Sequence, residues 1–243
     1  MTPEFTTGRI RPIECVKEAY QLIKDEYWML FAVSIVGALI GGASMYVLLG
    51  PMLCGIYICY LKKIDGGRVD FDDLWVGFQY FGRSLLVTIA IVVPIVIYMV
   101  AIFTTIYGPL IMKAIGGSRV SDEQMLTTLG IGIALDVIVA VLMVCIHSLL
   151  MFAYPLIADR GLSSVDAIKL SSRATLRNAK GIGGLVAVNF LLALAGEAAF
   201  CVGIYLVIPL IMATNVVAYR MVFPAMRQPL FEPPMPSAYP ELA

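Results

Sequence analysis

The residues of this sequence that could do chemistry are the few polar side chains inside its long apolar runs. Asp136 and His147 lie in one run, eleven residues apart, which is about three helical turns, so they share a face. Glu197 lies in a later run, and Asn189 and Asn215 fall at a depth close to that of His147. Ionisable groups inside a membrane are costly and commonly functional. These five residues form a candidate intramembrane polar cluster.

Two interpretations of this cluster are open. In the first, Asp136 and Glu197 lie near the outer boundary and reach interfacial water, while His147 and the two asparagines hydrogen-bond between helices. In the second, the same side chains line a cavity and contact a substrate, and His147 relays protons or responds to pH.

Motifs for catalysis are missing. His147 and Ser148 are sequence neighbours and face different directions on a helix, so they cannot act as a nucleophile and its base. Gly181-Ile182-Gly183-Gly184 is not followed by the lysine of a phosphate loop. The five cysteines form no C-x-x-C pair, and the net charge is zero. We therefore expect no enzyme activity, no metal, no cofactor and no nucleic-acid partner.

A second polar feature is a cationic stripe, formed by Lys169, Arg173, Arg177 and Lys180 at spacings of four, four and three. On a helix these residues share one face. At the inner leaflet such a stripe can hold anionic lipid headgroups. It can equally be a solvated surface that satisfies the positive-inside rule.

Apolar helices must position these residues. Of the 243 residues, 60% are hydrophobic and 14% are charged, whereas a soluble domain has roughly 25% charged residues. A span needs about 20 apolar residues. The fold class is therefore all-α, a polytopic membrane helical bundle. Its six transmembrane helices are predicted at about 27–41, 43–61, 84–112, 128–156, 181–199 and 201–219.

The charge distribution supports six spans, with the break of the first uncharged run at Gly41-Gly42. With the N-terminus inside, 15 of the 17 lysines and arginines fall on the cytoplasmic side, and Lys113 and Arg119 fall outside. If 28–61 were a single span, the cations between Lys62 and Arg83 would fall outside, and the positive-inside pattern would be lost. The first 27 residues lack the features of a secretory signal. We expect a multi-pass protein of the plasma (inner) membrane with both termini cytoplasmic.

Three cytoplasmic interfacial amphipathic helices are predicted, each before an outgoing span: Pro12–Glu26, Phe71–Gly82 capped by Asp70, and Ser164–Lys180 preceded by Ser163. They indicate three copies of one unit, all in the same orientation. The chain then divides into an N-terminal cytoplasmic segment (1–11), a six-helix membrane domain (12–223) and a proline-rich cytoplasmic tail (224–243).

Several motifs carry a resemblance that covers roughly residues 12–222: Gly50-Pro51 with Gly55-Ile56-Tyr57, Asp73–Phe78, Tyr154–Ser163, Asp166–Ser171, and Gly203 with Pro209 and Tyr219-Arg220. This pattern resembles a family of poorly characterised prokaryotic six-helix integral membrane proteins. Their membrane region is similar to the one fused to some glycerophosphoryl diester phosphodiesterases. The resemblance implies the fold only, because the phosphodiesterase activity of the fused members belongs to a separate soluble domain.

Taken together, these features predict a non-catalytic scaffold or accessory module that binds membrane lipids or a membrane-protein partner. The alternative is a transporter or permease-like subunit for a small or lipidic substrate, favoured by Pro94 and Pro209 within spans and by the polar cluster.

Overall fold

The computed structural model describes residues 5–116, 121–198 and 202–225, and every regular element in them is helical. Helices account for 84% of the structure, without strands in these ranges, so the predicted all-α class is confirmed. Arg119 and residues 226–243 of the predicted tail lie outside the described residues.

The elements follow one another as helices of very different lengths. The first part contains α1 (Pro12–Ile23), α2 (Tyr27–Ala43), α3 (Leu49–Ile64), a 3-10 helix (Phe71–Tyr80), α4 (Phe81–Ile102), a π-helical turn (Phe103–Tyr107) and α5 (Gly108–Ile115). The second part contains α6 (Asp122–Leu150), α7 (Ala153–Arg160), α8 (Ser164–Arg177), α9 (Ala179–Ala198) and α10 (Gly203–Val222).

Four stretches of the described chain are long and apolar enough to cross a membrane: Phe71–Tyr107, Met125–Arg160, Ala179–Ala198 and Gly203–Val222. Helices α1 and α2 meet this criterion only as a pair, which is bent by 104°. Helix α3 has 16 residues and is not among them. The chain therefore has several helices able to span a membrane, and the count of six stays a prediction.

The turn of the first hairpin lies later than predicted. Helix α2 continues through Gly41 and Gly42 to Ala43, and the turn follows at 44–48. In this turn Met45 and Tyr46 have φ angles of 50° and 67°. Gly41 serves close packing instead, since a Cβ there would lie 3.1 Å from the Leu49 Cα. The glycine pair was misread as a break because glycine serves both turns and tight helix contacts.

An irregular segment lies inside the third predicted span, 84–112, next to Gly108-Pro109. The chain stays helical there, and the irregular segment is the π-helical turn that directly precedes Gly108. Proline at the start of a helical segment is tolerated, because the first N–H groups have no partner within the helix. Pro94 lies inside α4, as expected.

The core is concentrated at one end of the bundle. In α3, ten of 16 residues are buried, and α7 and the second half of α10 are also largely buried. By contrast, only 6% of the most apolar window of Met125–Arg160 is buried. We call the well-packed end the stripe end, because α8, which carries most of the predicted cationic stripe, lies there. The opposite halves of α4 and α6 expose their apolar side chains.

The three helices predicted to be interfacial, which are α1, the 3-10 helix and α8, each pack on other helices of the bundle. The 3-10 helix packs on α3, α8 packs on α6 and α7, and α1 packs on α10. Each short helix thus contacts the helix that precedes it, and α1, which has no predecessor, contacts the last helix of the chain. The Cys15 Sγ lies 3.7 Å from the Met221 Sδ in the α1–α10 contact. The equivalence of the three units stays a prediction.

Polar caps define where two of the short helices begin. The Asp70 carboxylate accepts the Asp72 N–H at 3.5 Å, and the Asp73 carboxylate accepts the Asp70 N–H at 2.8 Å, which confirms the predicted cap. The Ser163 hydroxyl oxygen accepts the Asp166 N–H at 3.2 Å and donates to the Asp166 carboxylate at 2.6 Å. The sequence therefore located both helix starts correctly.

Candidate functional site

The cationic stripe lies along the exposed side of α8 and continues onto the first turn of α9. Its four members, Lys169, Arg173, Arg177 and Lys180, are all exposed. The opposite side of α8 packs into the protein through Ala167, Ser171, Ala174 and Thr175. Two apolar side chains also lie on the exposed side, Val165 and Leu176, with 47% and 66% of their surface accessible. The surface thus mixes cations with apolar groups.

None of the four stripe cations forms a salt bridge in the part of the chain that the structure describes. The exposed Asp166, one turn before Lys169, pairs with the Ser163 hydroxyl instead. Other cations at this end are neutralised: Lys62, Lys63 and Arg220 each pair with an aspartate or glutamate at 2.6 to 3.0 Å. Arg177 instead lies over the Phe5 ring, 5.8 Å from its centroid. The stripe is therefore a positive surface whose four cations are not engaged in ion pairs.

A hollow of about 450 Å³ lies at the α8–α9 junction, beside the last two cations of the stripe. Arg177 and Lys180 line it together with Gly8 and Ile10 of the N-terminal segment. The buried Asn178 holds this segment in place, because its Oδ1 accepts the Gly8 N–H at 2.7 Å. The hollow is thus built by two distant parts of the chain, and it places two cations at its wall.

Within the predicted polar cluster, the structure brings Asn189 and Asn215 together. The Asn189 Nδ2 donates to the Asn215 Oδ1 at 2.8 Å, which links α9 to α10. An interhelical hydrogen bond of this kind contributes about 0.6 kcal/mol in a membrane. The two asparagines therefore join helices, which is the first of the two interpretations.

Asp136 and His147 lie elsewhere, on α6, which packs on α4 and α8. The His147 Nδ1 bonds with the Met143 carbonyl of its own helix at 2.7 Å. The Asp136 Oδ1 and the His147 Nε2 have no hydrogen-bond partner among the described residues. Glu197 lies at the end of α9. The five predicted members are therefore divided between the α9–α10 pair and α6.

An ion-pair cluster that sequence reasoning missed joins three distant segments. Arg220 of α10 binds Asp159 of α7 with both terminal nitrogens, at 2.7 and 2.9 Å, and binds Asp65 beyond α3 at 2.6 Å. The Tyr219 hydroxyl donates to Asp159 at 2.7 Å. The Arg220 and Asp159 side chains are only 10% and 15% exposed. Asp159, Tyr219 and Arg220 occur in the motifs described above, whereas Asp65 does not, and no local spacing pairs residues 61 and 155 positions apart.

This cluster is a structural junction, since one guanidinium is held by two carboxylates from different segments of the chain. In the described ranges, no group of three or more His, Cys, Asp or Glu side chains is placed to hold a metal ion. Burial raises the pKa of the Cys15 thiol to about 11, so this thiol stays protonated at neutral pH. The stripe with its hollow is an arrangement able to bind a ligand.

Comparison with known proteins gives no further guidance. No protein-family model matches the sequence, and neither a curated protein nor a solved structure matches it significantly. The resemblance to six-helix prokaryotic membrane proteins therefore stays a prediction.

Proposed function

We propose that this protein is a six-span protein of the inner membrane, with both termini cytoplasmic, that acts without catalysis by binding anionic lipids along the cationic stripe. The sequence supports the orientation, because 15 of 17 lysines and arginines fall on the side assigned to the cytoplasm. The several membrane-length helices are compatible with this placement.

One observation carries the proposal: four exposed cations lie on one face without carboxylate partners, next to exposed Val165 and Leu176. A purely solvated surface has no need of apolar side chains between its cations. At a membrane surface, the apolar groups enter the acyl boundary while the cations bind headgroup phosphates. Each cation contributes about 1 kcal/mol near an anionic leaflet.

The hollow gives this surface a defined position for one headgroup. Arg177 presents a planar fork that matches phosphate oxygens, and Lys180 supplies a second charge. Lys169 and Arg173 extend the positive surface along α8. A lipid held there connects α8, α9 and the N-terminal segment. Bound lipid thereby stabilises the cytoplasmic face, to which a membrane-protein partner can bind.

Lipid retention after purification tests the proposal. The protein is purified in mild detergent with equal phosphatidylglycerol and phosphatidylcholine, and bound lipid is quantified by native mass spectrometry. We expect phosphatidylglycerol to be preferred. The variant Lys169→Gln/Arg173→Gln removes two charges without touching a packed contact, and should weaken that preference by roughly 30-fold, from about 1 kcal/mol per charge.

The matched control is Arg9→Gln/Lys17→Gln, which removes the same charge from exposed positions outside the stripe. It should retain phosphatidylglycerol like the natural protein. Equal loss in both double variants would mean that only net charge matters, and retention independent of headgroup in the natural protein would refute the proposal.

A further inference from the structure

A second cleft, of about 670 Å³, lies where α1 turns into α2. The two helices meet at 104°, and the corner between them faces the end of α3 and the loop before the 3-10 helix. The walls include Lys24, Asp25, Lys62 and Arg68, with Trp28 from the first turn of α2. The cleft combines both signs of charge with an aromatic ring, unlike the purely cationic stripe.

Some charges around this cleft are already used within the protein. Glu26 binds Lys63 at 3.0 Å and accepts the Val69 N–H at 3.1 Å. Lys62 binds both carboxylate oxygens of Asp73, at 2.8 and 2.9 Å. These bonds fix the walls, because they connect the α1–α2 corner and the end of α3 to the loop and the 3-10 helix.

Asp70 also lines the cleft, and its carboxylate caps the 3-10 helix. Two cations and one further carboxylate remain at the cleft: Lys24, Arg68 and Asp25, all exposed. Their side chains make no hydrogen bond or ion pair within the described ranges. A complementary ligand carries one anionic group that accepts hydrogen bonds and one cationic group that donates them. A phosphodiester next to a primary ammonium has this pattern.

Trp28 indicates where the ligand comes from. Its side chain is 71% exposed and stands at the base of the apolar helix α2. Tryptophan in this position marks the boundary between the headgroups and the acyl chains. If α2 enters the bilayer, as the proposed function requires, the cleft opens at headgroup level.

We propose that this cleft binds the headgroup of phosphatidylethanolamine. Lys24 and Arg68 hold the phosphate, with Arg68 offering paired N–H donors, and Asp25 accepts hydrogen bonds from the primary ammonium. Phosphatidylcholine offers no N–H to Asp25, and phosphatidylglycerol offers no cation. The proposal rests on the membrane placement given above, but it uses different residues and a different lipid from the stripe.

Lipid competition in nanodiscs tests this assignment. The full-length protein is reconstituted with equal phosphatidylethanolamine and phosphatidylcholine, and the lipids retained after extraction are quantified by native mass spectrometry. We expect phosphatidylethanolamine to be retained about tenfold more, since one charge-assisted interaction separates the two. Asp25→Asn should abolish this preference. Arg68→Gln should weaken the retention of both lipids.

Asp72→Asn and Arg9→Gln are the matched controls, because both change an exposed charge outside the cleft. They should leave the preference intact. Equal retention of both lipids by the natural protein, or an unchanged preference in Asp25→Asn, would overturn the proposal. Stabilisation by free phosphoethanolamine as strong as that by the lipid would assign the cleft to a soluble ligand and overturn the lipid assignment.

The two proposals fail separately. Loss of the phosphatidylethanolamine preference leaves the phosphatidylglycerol test of the stripe unaffected, because Lys169→Gln/Arg173→Gln does not alter the cleft. Conversely, Asp25→Asn does not alter the stripe.

Discussion

Gly77 of the 3-10 helix lies directly against the backbone of α3 at Gly55. A Cβ on Gly77 would lie 2.5 Å from the Gly55 nitrogen and 2.8 Å from its Cα. A Cβ on Gly55 would in turn lie 2.9 Å from the Leu74 carbonyl carbon. The two helices therefore cross with main chain against main chain, and only glycine fits at either position.

Gly77→Ala should strongly destabilise the protein, because the added methyl meets main-chain atoms that cannot rotate away. We expect a loss of about 3 kcal/mol, at the upper end of overpacking effects, measured as the free energy of unfolding in detergent micelles. Gly82→Ala is the control, since a Cβ there meets nothing within 4 Å. If both variants were equally stable, the close crossing would be refuted.

Asp159→Asn should also destabilise the protein. It leaves Arg220, whose side chain is 10% exposed, with a weaker partner at the junction of α3, α7 and α10. Breaking a largely buried pair costs about 3 kcal/mol. Asp65→Asn, at a side chain that is 45% exposed, should cost less than about 1 kcal/mol. Thermal unfolding of both variants measures the difference in stability. Equal losses of stability would contradict the expectation that Asp159 contributes more than Asp65.

Acid should weaken the corner between α1 and α2 through Glu26. Burial acts to raise the pKa of Glu26, but its bonds to Lys63 and to the Val69 N–H outweigh this, so the pKa lies below its ordinary value. Stability from such a group is complete above the unfolded pKa, about 4.3, and is lost as the pH falls through the folded pKa.

Glu26→Gln should therefore lower the melting temperature at pH 7, and its difference from the natural protein should shrink below pH 4. Glu14→Gln is the control, because its pair with Arg11 is half or more exposed on both sides and contributes little. A Glu26→Gln effect that did not change with pH would show that the ion pair is not responsible.

The turn at 44–48 should be accessible from outside the cell if the first hairpin spans the membrane. Met45 is 85% exposed. Met45→Cys should then react with a membrane-impermeant maleimide applied to intact cells, whereas Asp72→Cys should react only after permeabilisation. Both variants are made in a background with Cys145→Ser and Cys201→Ser, because Cys145 is exposed and Cys201 lies outside the described residues, whereas Cys15, Cys54 and Cys59 are buried. The background protein is the blank. Labelling of Met45→Cys only after permeabilisation would refute the six-span topology.

The sequence predicted the local features of the candidate site, such as helix starts and residue spacing, better than the contacts between helices. The helical spacing of the stripe and the caps at Asp70 and Ser163 depend on a few consecutive residues, so they could be located without a fold. The polar cluster was predicted from depth alone, and depth does not tell which helices are neighbours. As a result the contact between the two asparagines agrees with the predicted cluster, while Asp136 and His147, which were expected to join them, lie together on α6.

By itself, the sequence determined that this protein is helical and apolar, because composition and periodicity are properties of single segments. The tertiary structure alone decided that Gly55 faces Gly77, that Arg220 meets Asp159, and that Lys24, Asp25 and Arg68 line one cleft. Each of these relationships joins segments far apart in the chain. Helix packing sets such distances, and nothing in the linear order of residues specifies them.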